Sequence, residues 1–281
     1  QFTENGSAVT VDNTLTLTDA DDDNIHSATV AITGNFLAGD TLAVNVGSTG
    51  ITATYDSGTG VLTLSGAASK ADYQQVLQSL TYVTDSDDPT TNTTRPTRTL
   101  TYTVNDNGSD GAGAAGANPG TTTRTVTVIP VNDTPVLGGA GSTYTFTENG
   151  SAITLEPGAW TLTDVDDTQM VEAMVWTSSG FKTGDMLDAS SLPGGWTKNY
   201  NAATGELTLS GSATDIANVL AALKTVTYVS TSDDPGNADR TISWQVKDAN
   251  SDAASNGQLN TNTVTTTANG ITLTFASGSG G

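Results

Sequence analysis

Phe2-Thr3-Glu4-Asn5-Gly6-Ser7-Ala8 returns as Phe146-Thr147-Glu148-Asn149-Gly150-Ser151-Ala152. Working outward, Leu17-Thr18-Asp19-Ala20-Asp21-Asp22 returns as Leu162-Thr163-Asp164-Val165-Asp166-Asp167. Thr59-Gly60-Val61-Leu62-Thr63-Leu64-Ser65-Gly66 matches Thr204-Gly205-Glu206-Leu207-Thr208-Leu209-Ser210-Gly211. Ser86-Asp87-Asp88-Pro89 matches Ser232-Asp233-Asp234-Pro235, and Arg98 to Asp106 matches Arg240 to Asp248. The order is kept and the offset stays between 142 and 146, so the chain is two copies of one module with loop-sized insertions. The boundary is read at Val131-Asn132-Asp133-Thr134-Pro135, giving domains 1–133 and 134–281. The proline there biases its neighbour to extended backbone, and the joint has no Gly-Ser slack.

Each copy reads as strands. Leu15/Leu17, Leu42/Val44/Val46, Leu62/Leu64, Leu100/Tyr102/Val104 and Val126/Val128 alternate with polar residues, the period of half-buried strands. Asp56-Ser57-Gly58-Thr59-Gly60 reads as a hairpin turn. One stretch differs: Tyr73, Val76, Leu77 and Leu80 recur at helical spacing, as do Val219, Ala222, Leu223 and Val226, predicting one short amphipathic helix per copy. The expected fold is all-β, two tandem sandwiches each with one helix.

Composition narrows the function. The 281 residues carry 30 Asp+Glu against 9 Lys+Arg, a formal net charge of -21, which disfavours nucleic acid and anionic membranes and favours divalent cations. There is no cysteine, so disulfides and thiolate metal sites are excluded. No apolar run is long enough to span a bilayer, and no membrane insertion is expected. His26 is the single histidine and reads as a strand-surface residue. No nucleophile motif or phosphate loop is present, and the carboxylates sit among turn residues, so no catalysis is expected.

The carboxylates are where chemistry is expected. Calcium takes six to eight hard oxygen ligands, and Asp19-Ala20-Asp21-Asp22-Asp23-Asn24 and Asp164-Val165-Asp166-Asp167 offer alternate carboxylates on one strand end, facing the same way. Neither stretch fits the helical calcium hand, so a site would be assembled from separate loops. The same Asp and Asn residues also serve as turn formers, and that reading stays open beside the metal one.

At these residues the chain resembles the cadherin-like repeats found in tandem in large bacterial surface adhesins, often those exported by type I secretion. Thr-Glu-Asn at 3–5 and 147–149, Thr-Asp-Ala-Asp at 18–21 and Val-Asn-Asp-Thr-Pro at 131–135 resemble cadherin-type elements. Ala-Asp-Tyr-Gln at 71–74 and Ser-Asp-Asp-Pro at 86–89 resemble the adhesin repeats. The resemblance implies calcium between successive domains. The implied ligands are Glu4, Asp87, Asp88, Asn132 and Asp133 from the first domain and linker, with Asp164, Asp166 and Asp248 from the second. Asp87–Asp88 departs from the animal pattern, in which an Asp and a Glu are separated by one residue. Weaker half sites are implied at Asp19, Asp21 and Asp106, and at Glu148, Asp233 and Asp234.

The leading expectation is therefore an extracellular, calcium-stiffened extender module of a surface adhesin, whose partners are neighbouring repeats of the same or an identical chain. One alternative is a self-assembling filament or surface-layer subunit, in which the Ile271–Phe275 strand fills a neighbour lacking a counterpart of the Val136–Tyr144 lead-in. Another is a glycan-binding second domain, if Trp196 and Tyr200 are exposed.

Overall fold

The computed structural model describes residues 1–19, 23–106, 119–139, 142–155, 160–250 and 268–276. The fold is all-β with two short helices, and the chain divides into two compact units, Gln1–Val131 and Asn132–Gly281.

The first unit comprises β1 (Phe2–Thr3), β2 (Val9–Thr10), β3 (Asn24–Gly34), β4 (Thr41–Ala43), β5 (Thr52–Asp56), β6 (Val61–Ser69), α1 (Lys70–Gln78), β7 (Thr81–Val83), β8 (Thr97–Asp106) and β9 (Gly120–Ile129). Six strands form one sheet in the order β1-β9-β8-β3-β6-β5, and β2-β7-β4 form the other. Every second residue of the long strands faces the space between the sheets: Ala28, Val30, Leu62, Leu64, Leu100, Tyr102, Val126 and Val128 are buried there, against Leu42 and Tyr82 of the smaller sheet. Phe2 meets Tyr82 edge-to-face at 5.5 Å. β1 runs parallel to β9, pairing Phe2 with Val128, so Glu4 and Val131 lie at the same end of the unit.

The second unit comprises β10 (Val136–Gly138), β11 (Thr143–Thr147), β12 (Ile153–Thr154), β13 (Thr161–Thr163), β14 (Gln169–Ser179), β15 (Asp185–Ala189), β16 (Thr197–Asn201), β17 (Glu206–Asp215), α2 (Ile216–Leu223), β18 (Val226–Ser230), β19 (Arg240–Asp248) and β20 (Ala268–Ala276). Its sheets repeat the plan: β11-β20-β19-β14-β17-β16 and β12-β18-β15, with Phe146 against Tyr228 at 5.4 Å. A further pair, β10-β13, is added. β20 takes the place that β9 holds in the first unit, parallel to β11 from Thr143–Thr272 to Thr147–Ala276. The Ile271–Phe275 segment, expected as a strand for a neighbour, is thus the closing strand of its own sheet.

Both helices form where the periodicity places them. Ser69 caps α1: its hydroxyl accepts from Asp72 N at 3.1 Å and donates to the Asp72 carboxylate at 2.7 Å, a reciprocal cap that satisfies an otherwise open amide. Tyr73, Val76 and Leu77 point into the core, as do Val219, Ala222 and Leu223 of α2. Leu15–Thr18, read as a strand from its alternation, is irregular in the first unit, whereas its counterpart in the second is β13.

Among the described residues, each unit also buries an ion pair. Arg98 donates from Nε to Asp40 at 2.6 Å, from Nη2 to the Pro89 carbonyl at 2.7 Å and from Nη1 to the Arg95 carbonyl at 3.0 Å. Tyr82 Oη donates to the other Asp40 oxygen at 2.6 Å. In the second unit Arg240, Asp185, Pro235 and Tyr228 repeat the arrangement, with Arg240 Nε to Asp185 at 2.7 Å, Nη2 to Pro235 O at 2.9 Å and Tyr228 Oη to Asp185 at 2.6 Å. A buried pair of this kind holds its geometry because each carboxylate lone pair and each guanidinium N–H left without a partner is costly. Here the pair fastens the proline of each Ser-Asp-Asp-Pro loop to the sheet. Burial pushes the hydroxyl pKa of Tyr82 and Tyr228 upward, so both remain donors.

Candidate metal centre

The second unit gathers an acidic cluster from three separate stretches. Asp164, Asp166 and Asp167 lie in the loop between β13 and β14, and each contributes an oxygen to a group lying within 4.8 Å of one another. Asp164 Oδ1 accepts from the main-chain N of Asp166 at 3.3 Å and of Asp167 at 3.2 Å, so one carboxylate folds the loop and aims its two successors. Asp133 N donates to Asp166 Oδ2 at 3.0 Å, and Asn132 Nδ2 donates to Asp248 Oδ2 at 3.2 Å. The segment preceding β10 is thereby tied to the β13–β14 loop and to the end of β19. Asp166, Asp167 and Asp248 are each 1% exposed.

Electrostatics makes this arrangement expensive unless a cation joins it. Burial pushes the Asp248 carboxyl above the ordinary carboxylate range; the Asn132 amide opposes that shift, and the charges of Asp167 and Asp164 reinforce it. Asp164 Oδ2 is buried and accepts no hydrogen bond. An unpartnered buried carboxylate oxygen beside two further carboxylates is what a hard cation would satisfy. The donors are all oxygen, which suits calcium rather than a thiolate- or imidazole-seeking metal. The residues present fit the ion.

Five of the expected ligands come together in this unit: Asn132, Asp133, Asp164, Asp166 and Asp248. Asp167 belongs to the acidic stretch read in the sequence but was not among its expected ligands. Alternation along a strand end would turn it away from Asp164 and Asp166, but the turn closed on Asp164 Oδ1 brings it to the same side.

In the first unit, Glu4 is 3% exposed and its Oε2 accepts from Val131 N at 2.8 Å. Its placement follows from Asn5 and Gly6. Asn5 takes a left-handed φ of 59°, and a Cβ on Gly6 would stand 2.7 Å from the Thr3 carbonyl, so the chain turns sharply just past Glu4. The Thr97–Thr127 pairing puts the start of β8, and the Ser86–Pro89 loop before it, at this same end. Asp87 is exposed and Asp88 half-buried, with Asp88 Oδ1 accepting from Asn92 N at 3.2 Å. Thr91, Asn92 and Thr93 all have positive φ, a strained run that this bond, the Thr93 N to Thr90 Oγ1 bond and the Arg98–Pro89 bond hold in place.

Asp19 and Asp106 stand in the first unit where Asp164 and Asp248 stand in the second, at the start of β3 and the end of β8, where Ile25 pairs with Asp106. Asp21 lies outside the described residues. A lysine enters this corner: Lys70 Nζ donates to Asp19 O at 2.9 Å, and the matching position in the second unit is Ile216. Glu148 is half-buried, and Asp233 and Asp234 are exposed.

Trp196 and Tyr200 are not an exposed pair. Trp196 is buried and its Nε1 donates to Ser212 O at 2.8 Å, and half-buried Tyr200 spends its hydroxyl on Asp185 O at 2.6 Å. Trp160 and Trp244 pack edge-to-face at 4.5 Å in the core.

No family model matches the chain. A 91-residue stretch is 46% identical to halomucin of Haloquadratum walsbyi, covering 31% of this chain and 1% of that protein. Among solved structures, the C-terminal domain of the Streptococcus agalactiae AgI/II polypeptide BspA aligns over 89% of this chain and 84% of its own, at 12% identity and a TM-score of 0.30. The human desmocollin-1 ectodomain aligns over 87% of this chain and 36% of its own, at 15% identity and a TM-score of 0.25. At these scores the superpositions carry no argument about function, and the chain spans only a small fraction of halomucin.

Proposed function

We propose that this chain is a non-catalytic structural module of an extracellular, cell-surface adhesin, stiffened by calcium where its two repeats join. Asp164, Asp166, Asp167 and Asp248 would hold the ion with Asn132 and Asp133. Glu4, Asp87 and Asp88 would contribute from the first repeat. The observation that carries the reading is the Asp164–Asp166–Asp167 triad, largely buried, close-packed and with one oxygen unpartnered. Such a cluster is destabilising alone and stabilising with a divalent cation. Because Asn132 and Asp133 are both part of the connection between repeats and bonded to this cluster, an ion held there would take slack out of the joint. Tandem stiff modules of this kind hold a binding tip away from a cell surface.

Calorimetric titration of the whole chain with calcium tests the reading. Binding at micromolar to millimolar affinity is expected, lost in Asp164→Ala and weakened in Asp133→Ala. Equal heats from wild type and Asp164→Ala would overturn it.

A further inference from the structure

The larger sheets of the two units differ on the face turned away from the core. Alternation along each strand sends one set of side chains inward and the other to this opposite face. In the first unit the face is short-chained at its centre: Thr29 and Ala31 of β3 lie between Thr63 and Val61 of β6 and Thr103 and Thr101 of β8. In the second unit the same two positions are Met174 and Trp176 of β14, on the opposite side from the buried Ala173 and Val175. Trp176 is half-buried, whereas Trp160, Trp196 and Trp244 are 7%, 6% and 0% exposed. Polar side chains flank it. One row across the strands reads Asn201–Glu206–Trp176–Ser243, and beside it Met174 lies between Thr208 and Gln245. Asn201 is exposed, and Glu206, Met174 and Gln245 are half-buried. With strands about 4.8 Å apart, the first row is about 14 Å long.

We infer that this face of the second unit binds a neutral polysaccharide chain, with Trp176 as the stacking surface. The fold does not require an indole there, since the sister unit builds the same strand pairing around Ala31. An indole face carries negative π-density and attracts the weakly positive C–H groups on the flat side of a pyranose ring. The sugar's hydroxyls lie around the rim of that ring, where the Asn201 and Gln245 amides can donate and accept and the Glu206 carboxylate can accept. The row is long enough to meet more than one ring of an extended chain. Charge selects the class: the protein's net charge is -21 and Glu206 stands directly beside Trp176, so uronate-bearing or sulfated chains are repelled and uncharged ones are not. The surface is separate from the candidate metal centre. Trp176 lies about 24 Å along β14 from Gln169, where the acidic loop ends, so sugar binding does not depend on the ion.

Affinity electrophoresis of the full chain tests this, in native gels containing hydroxyethylcellulose, galactomannan or xyloglucan, with polygalacturonate as the acidic control. Each gel is run in calcium and in chelator. At least one neutral polymer should retard the chain to the same degree in both. Trp176→Ala, which installs the residue the first unit carries, should weaken that retardation at least about fivefold while leaving the melting temperature unchanged. Asn201→Ala should weaken it less, and the exposed position of Asn201 makes that variant a second check that does not touch packing. No retardation by any of the three neutral polymers would overturn the inference. So would equal retardation of wild type and Trp176→Ala, or stronger retardation by polygalacturonate than by the neutral chains.

Discussion

Arg240→Met breaks the buried pair of the second unit and should cost about 3–4 kcal/mol. The reasoning starts from Arg240 and Asp185, whose side chains are 0% and 1% exposed. The guanidinium donates to Asp185, the Pro235 carbonyl and the Ala238 carbonyl. Removing one partner of such a pair costs about 3–5 kcal/mol because a buried charge is left uncompensated. Asp185 keeps two donors, Tyr228 Oη at 2.6 Å and Lys182 N at 2.8 Å, which places the expectation in the lower half of that range. For a unit of this size the melting temperature should fall by roughly 10 °C. All four tryptophans, Trp160, Trp176, Trp196 and Trp244, lie in the second unit, so the Trp fluorescence transition reports that unit alone. Arg98→Met should leave the Trp transition in place and lower the other transition, followed by circular dichroism, to a similar degree. Joining Asp185→Asn to Arg240→Met should recover part of the loss. A Trp transition shifted by less than about 1 kcal/mol in Arg240→Met would refute the role given to the pair.

Other consequences follow from single contacts. Hydrogen bonds from Thr14 and the Arg124 guanidinium depress the Asp12 carboxyl from 3.8 to about 2. The stabilisation this gives is full above the unfolded value and is lost as the pH falls from about 4 to about 2; Asp12→Asn should flatten that part of the first unit's acid-unfolding curve. Asp167→Asn should weaken calcium binding at least as much as Asp133→Asn, since Asp167 is 1% exposed within the triad; equal affinity in Asp167→Asn and wild type would remove it from the site. Ser69→Ala removes the α1 cap and should cost about 1 kcal/mol in the first transition only.

How much of this was readable in the residues depended on whether a signal was repeated and local. The tandem plan and both helices followed from motifs that recur in order. Ile271–Phe275 was read as a strand, but its place beside β11 was not, because it shares no motif with Thr121–Val128; only the sheet reveals that the two fill one slot. Leu15–Thr18 alternates as a strand should, yet it is irregular where its counterpart β13 pairs with β10, and a period cannot report pairing. The buried pair of Asp40 and Arg98 was not foreseen. Their signal was their recurrence as Asp185 and Arg240, each with a tyrosine in the preceding strand of the smaller sheet. The acidic residues of the candidate metal centre were legible in type and partly in grouping. Asp167 was not among the expected ligands, because a turn made by Asp164 overrides strand alternation there.

Calcium dependence of the Trp-monitored melting transition tests the central claim most directly. With an affinity near 0.1 mM, as extracellular calcium modules can show, 10 mM calcium should stabilise the second unit by about 2.7 kcal/mol and raise its transition by roughly 8 °C over the same chain in chelator. Magnesium at the same concentration should do much less, and Asp164→Ala should abolish the rise. A Trp transition at the same temperature in calcium and in chelator would contradict the account.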